Sequence, residues 1–402
     1  MPVPPRPHPL ARAPLVDRID GWIAKGWERG WIDEVSLDPH ELLAAGSKGF
    51  QVGDEAGGRS AEDIADWHLR LEKLCHSVTQ EARLNSIGKA FAYGLLTRAI
   101  QQRFALGELW RKRPELLETK LAPPIIVVGQ MRSGTTRIHR LLAADPAHSA
   151  TRFCDSWHPV PEKPDLRPIR GGLKLFLARK LDPWLDTLHP FGAARADEEL
   201  GWLAMAFDHC AYEAQWQIPS FVEFSEARDA GPVYREFARI LATDAANHGT
   251  AHQPRVMKVP QFGEDLSELL AQFPDARVVV SRRAPDEVTR SAASLVANQM
   301  TIQSDAADLA SIETEWERKA TLRQKRTEEA LASFTGPVAE ADFARLGEDW
   351  EAEITALYSA LGLELSAAAL AAMTTEQKTN ARALHTKHGA HLKEFEAAEA
   401  QP

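Results

Sequence analysis

Between Gly129 and Thr136 the chain reads GQMRSGTT, a glycine loop that carries a guanidinium and three hydroxyl groups. Residues of these types at this spacing suit a phosphate-like anion. Gly129 and Gly134 let backbone come close to a ligand, Arg132 brings charge, and Ser133, Thr135 and Thr136 bring donors. The flanking residues decide whether those groups converge. Ile125, Ile126, Val127 and Val128 form a short apolar run, the mark of a buried parallel strand. Ile138, Leu141 and Leu142 recur at helical spacing, so a helix starts where the loop ends. Strand, loop and helix together aim N–H groups and the positive end of a helix dipole at one spot.

The nucleoside-triphosphatase loop would read GxxxxGK[ST], with the lysine on the terminal phosphates and the hydroxyl on magnesium. The glycine spacing is kept here, but Thr135 stands in place of the lysine and the cation has moved inside the loop, to Arg132. No aspartate after a strand is set up to hold magnesium, so an ATP- or GTP-using kinase is the weaker alternative. A second anion pocket follows the run Arg277–Ser281. There Arg282, Arg283, Ala284 and Pro285 lead into a helix with Asp286 and Glu287 in its first turn. Ser291 lies eight residues after Arg283, about two turns up that helix at roughly 1.5 Å per residue. Arg283 can fork onto a phosphate while Ser291 adds a hydroxyl. Lys258 lies at the C-terminal end of the strand read in Arg255–Val259, in the usual ligand crevice of an open α/β sheet.

These residues need a scaffold, and the chain supplies one. Apolar runs at Ile125–Val128, Arg255–Val259, Arg277–Ser281 and Pro337–Ala341 alternate with helical stretches, which predicts an α/β fold with a parallel sheet flanked by helices. Before it, Ile64, Trp67, Leu71, Leu74 and Val78 keep to one helical face, as do Phe91, Leu95, Ala99 and Ile100. The expected organisation is a flexible tail over 1–15, a mainly helical region over 16–121 packed on the catalytic domain, and that domain over 122–402, with Pro123 and Pro124 at the boundary. The proline- and aromatic-rich stretch from Asp155 to about Pro190 reads as irregular and as lining a site.

The 402 residues are 44% hydrophobic and 26% charged, as in ordinary globular proteins, and the net charge of −10 argues against a nucleic-acid partner. Three widely spaced cysteines fit neither a disulfide framework nor a zinc site and suggest a reducing compartment. The proline-rich start is no secretory signal and no run is long enough to span a membrane, so a cytoplasmic protein is expected.

Both anion motifs resemble those of the sulfotransferases, most nearly the bacterial-type members that read roughly GLPRTGTTLLHRLLAQDP, KSPGH, FPDARFVQTHRDP and, near the C-terminus, KHG. This chain has GQMRSGTTRIHRLLAADP, Lys258-Val259-Pro260-Gln261-Phe262, FPDARVVVSRRAP and Lys387-His388-Gly389, so the likeness covers about residues 60–395. Three departures stand out. The aspartate of HRDP is lost, a histidine of relatives is Phe262, and YEDL has become Phe343-Ala344-Arg345-Leu346.

The resemblance implies a P-loop sulfotransferase-like fold and a metal-free enzyme that uses 3'-phosphoadenosine 5'-phosphosulfate (PAPS). It would release adenosine 3',5'-bisphosphate after sulfuryl transfer to a hydroxyl or amine of a small-molecule acceptor. Arg132, Ser133, Gly134, Thr135 and Thr136 would then bind the phosphosulfate, and Arg283 with Ser291 the 3'-phosphate. Lys387, His388 and Gly389 would cover the nucleotide, unless they belong to a frayed tail, and Lys258 would sit near the sulfuryl group with Arg132. Asp155 falls on the position of a family glutamate and is the first candidate for general base. His158 is the second, and His189, followed by Glu198 and Glu199, the third. The other reading is a homologue that binds nucleotide without catalysis. A homodimer is possible, and the tryptophans between residues 155 and 220 suggest an apolar or aromatic cleft.

Overall fold

Five parallel strands form one sheet in the order β2-β3-β1-β4-β5: β1 Ile125–Gly129, β2 Ser149–Ala150, β3 Arg255–Lys258, β4 Arg277–Arg282 and β5 Val338–Asp342. The computed structural model of the chain describes residues 3–381 and Phe395. β1 is central because both its faces are apolar. Ile126 and Val128 pack into one core with Met257, Val278 and Val280, and Ile125 and Val127 into another with Val256 and Val279. All four β1 side chains are fully buried, which stabilises the strand by about 1.5–3 kcal/mol for each. Register brings Val127 opposite Lys258 and Gly129 opposite Ser281, so the β1 loop and the ends of β3 and β4 share one edge of the sheet.

The helices before Pro123 bury their apolar faces in the same core as β1. Trp67, Leu71, Leu74 and Leu96 join Ile126 and Met257 there, and Trp67 Nε1 donates to the Met205 carbonyl at 2.8 Å. Helix Ala61–Gln80 starts where the Ser60 hydroxyl accepts from the Asp63 N–H, and Ser86–Lys112 where the Asn85 side chain accepts from the Gly88 N–H. Phe91 departs from the expected face. The buried line runs through Ala92, Leu96, Ala99 and Ile100, which leaves Phe91 largely exposed.

Two other expectations meet a different structure. Residues 3–13, read as a loose tail, carry no helix or strand, yet Arg6 is buried and donates to the Ser294 hydroxyl at 3.2 Å and carbonyl at 3.0 Å. The stretch after Asp155 is not irregular throughout, for it contains the 15-residue helix Arg167–Leu181. Its proline, Pro168, sits in the first turn, where the missing N–H has no intrahelical acceptor to lose. β2, only two residues long, has too little sequence to carry a strand signal.

Candidate active site

The β1 loop turns on two unusual backbone conformations. Gly134 has φ 95°, and a Cβ there would meet Phe343 Cδ2 at 2.4 Å. Arg132 has φ 71°, a left-handed conformation that a side-chain-bearing residue adopts at a cost. The loop is nonetheless fixed. The Ser133 hydroxyl donates to the Gln130 carbonyl at 2.7 Å, and the Ser281 hydroxyl at the end of β4 donates to the Ser133 carbonyl at 2.7 Å. The Ser133 N–H is spent on the Gln130 carbonyl at 3.0 Å. Thr135 and Thr136 open helix Thr135–Ala144, where first-turn N–H groups have no acceptor within the helix.

The two anion motifs meet. Arg132 Nε donates to the Ser291 hydroxyl at 3.0 Å and its NH1 to the Leu188 carbonyl at 2.7 Å. Arg283 donates to the Arg132 carbonyl at 2.8 Å, and its guanidinium lies over the Phe343 ring, 4.2 Å from the centroid. Among the described residues, Arg132 hydrogen-bonds only to neutral groups. Burial, and then the charge of Arg283, pull its pKa down to about 10. Two adjacent guanidiniums with that history favour an anion between them.

Lys258 reaches the same place from β3. Its Nζ donates to the Thr136 hydroxyl at 3.0 Å and is ion-paired with Glu198, while its N–H donates to Glu199 at 3.0 Å. Burial raises the Glu199 carboxyl to about 8 despite the Lys258 N–H and the Thr151 hydroxyl, so at neutral pH Glu199 does not compete for the lysine's charge. Next to Glu198, His189 Nε2 lies 3.1 Å from Asp197 Oδ1. Burial would raise Asp197, but His189, Arg140 and the Glu198 N–H hold it down to about 2. The ionised carboxylate accepts, so Nε2 carries the proton and Nδ1 is the basic nitrogen. His189, Asp197 and Glu198 offer ligand atoms within 4.8 Å of one another, and the positive charge a metal would bring there already comes from Lys258.

Most of these groups line a cavity of ≈ 1160 Å³, while Ser133, Ser291 and Glu199 stand behind its lining. Its lining joins the polar Arg132, Thr135, Lys258, Arg283 and His189 with the apolar Ile19, Ile23, Phe91, Trp157, Leu177 and Leu181. Asp155 and His158 are not among its lining residues. Asp155 is buried and bonded to Arg152 at 2.6 Å, Arg167 at 3.1 Å and His248 at 3.3 Å. Burial acts to raise it, yet these cations hold it near 2. It is a structural anion held by these ion pairs and outside the cavity lining, which corrects its reading as a base. His158 is likewise enclosed, between Arg98 and Lys174, and burial followed by those charges depresses it to about 3. Of the three base candidates only His189 reaches the cavity. Lys387, His388 and Gly389 lie outside the described residues.

Known proteins were compared with this arrangement. A sequence profile described as the sulfotransferase family matches residues 123–367. The solved structure of sulfotransferase STF1 from Mycobacterium tuberculosis H37Rv superimposes with a TM-score of 0.75 at 25% identity, covering 90% of this chain and 99% of that one. Sulfotransferase STF9 from Mycobacterium avium gives a TM-score of 0.75 at 18% identity over 87% of this chain and 89% of its own, which bears on the fold alone. No curated protein matches. With the profile spanning more than half of its length, the chain belongs to the sulfotransferase family.

Proposed function

We propose that the chain transfers a sulfuryl group from PAPS to a hydroxyl, or an amine, of an apolar small molecule. The observation that carries this reading is Arg132: half-buried, next to Arg283, hydrogen-bonded only to neutral groups among the described residues, and held by a strained loop at a helix N-terminus. The donor set fits a phosphosulfate, since Arg132, Arg283, Lys258 and the first-turn N–H groups of helix Thr135–Ala144 are all suited to an anion. When bound, PAPS supplies an activated sulfuryl group whose in-line displacement releases adenosine 3',5'-bisphosphate.

The chain's own residues divide the remaining work. Arg132 stays charged at any working pH, so it orients the phosphosulfate and offsets its charge but moves no proton. Lys258, fixed by Thr136, adds charge where electrons accumulate on the leaving oxygen. Arg283 and Ser291 hold the 3'-phosphate. His189 Nδ1 takes the acceptor proton, with Asp197 fixing the tautomer and stabilising the imidazolium. The apolar lining of the cavity excludes water and positions the acceptor.

Isothermal titration of the wild type and Arg283→Ala with adenosine 3',5'-bisphosphate and with ATP tests the reading. Binding of the bisphosphate, lost in the variant and absent for ATP, is expected; no binding, or a preference for ATP, overturns it. The second reading, a homologue that binds nucleotide without turnover, has the Lys258–Glu198 ion pair on its side, because that contact engages the cation meant for the sulfuryl group. Bisphosphate binding with no turnover across phenolic, steroid and aliphatic alcohols would favour it.

A further inference from the structure

Helix Arg167–Leu181 turns an apolar stripe to solvent. Leu166, Ile169, Leu173, Phe176 and Leu177 are 45% to 70% exposed, and their spacing puts them on one side of the helix. Such a contiguous exposed patch marks an interaction surface. Helix Pro14–Glu28 packs against helix Arg167–Leu181 and exposes Trp22 at 70%. The stripe runs into the cavity, for Leu177 belongs to both, and Leu181, Ile19 and Ile23 continue the apolar wall inward.

Charge identifies the occupant. Every charged residue of helix Arg167–Leu181 is basic, in a chain of net charge −10. Arg167, Arg170 and Arg179 are ion-paired, with Asp165, Glu162 and Asp186. Lys174 and Lys180 have no carboxylate partner among the described residues. Lys180 lies over the Phe176 ring, at the edge of the stripe. Lys174 Nζ and Arg98 NH1 both lie 2.8 Å from His158 Nε2. That nitrogen accepts one donor at most, so two cations crowd one acceptor beside the cavity, and an anion would relieve them. An apolar stripe flanked by such cations matches the headgroup region of an anionic membrane, where Trp is also at home. No described helix is long and apolar enough to cross a membrane, so the helix would lie along the surface.

We propose that this face seats on an anionic lipid bilayer, with Lys174 and Arg98 taking a lipid phosphate, and that an acceptor dissolved in the membrane enters the cavity there. The route of the acceptor rests on the function proposed above; the docking does not. The test is co-sedimentation of the full chain with vesicles of phosphatidylcholine alone and of phosphatidylcholine mixed equally with phosphatidylglycerol. The chain is expected to sediment with the mixed vesicles only. Ile169→Ser/Leu173→Ser/Phe176→Ser should lose at least about tenfold of that binding, and Lys174→Gln several-fold. Thermal melting of both variants, and bisphosphate titration of the triple variant, show that the fold is kept. A wild type left in the supernatant, equal sedimentation with both vesicles, or a triple variant that sediments like wild type overturns the proposal. So does a wild-type dimer that the triple variant makes monomeric without any vesicle binding, since the face would then cover a second copy. Sedimentation without bisphosphate binding would leave the docking standing and remove the proposed activity.

Discussion

His189 and His248 each face a carboxylate, with opposite consequences. His189 opens onto the cavity, and its partner Asp197 is buried behind it. His189→Gln or Asp197→Asn should therefore lower kcat by about 100-fold and leave bisphosphate affinity unchanged, read by steady-state kinetics and titration; wild-type turnover would reject the pair. His248 instead closes a structural cluster with Asp155 and Asp244. Asp155→Asn should cost about 3–5 kcal/mol of stability by denaturant melting, without a fall in kcat for the protein that remains folded. Hydrogen bonds to Asp155, then Asp244, raise His248 to about 9. That stabilisation, about 1–2 kcal/mol once solvent screening is allowed for, is complete below the unfolded value of about 6.5 and lost as pH climbs through about 9. The Tm gap between wild type and His248→Gln should shrink from about pH 6 to about pH 10; a constant gap would contradict the assignment. Loop residues such as Arg132 and Arg283 were legible in the sequence because their chemistry is local. Asp155 misled because a motif fixes where a residue falls along the chain, not which way its side chain points. The pairing of His189 with Asp197 crosses a loop with no periodicity, and only the nearby glutamates hinted at it.

The parallel strands were legible because apolar runs bounded by turn residues leave few other structures open. The close approach of Gly134 to Phe343 was not, because it joins the β1 loop to the residue after β5, far away in sequence. Gly134→Ala should abolish bisphosphate binding by titration, since both the 2.4 Å contact and the positive φ oppose a side chain. Gly134→Ala/Phe343→Ala removes the contact but not the φ penalty, so it should recover only part of the affinity. Full recovery would show that the clash alone mattered. Helix Arg167–Leu181 was hidden for the opposite reason. The surrounding prolines read as breakers, yet the one inside the helix occupies its first turn, and an exposed apolar face mimics no core pattern.

At the scale of the molecule, sheet and helices meet around one cavity. Ile19→Asp or Ile23→Asp would put a carboxylate in its apolar wall, which should raise KM for an apolar acceptor at least about tenfold with bisphosphate affinity unchanged. Equal KM values would show that the acceptor does not use that wall. The cations Arg132, Lys258 and Arg283 in the cavity lining come from the ends of β1, β3 and β4, held by a sheet that tolerates little change. The apolar Ile19, Ile23, Phe91 and Leu177 are side chains on Pro14–Glu28, Ser86–Lys112 and Arg167–Leu181, whose backbones need not move when those side chains do. This division of labour makes the chemistry heritable and the clientele negotiable. A library confined to Ile19, Ile23, Phe91 and Leu177 should reshape what the chamber admits while bisphosphate affinity, set by the strand-end cations under the proposed function, stays the same.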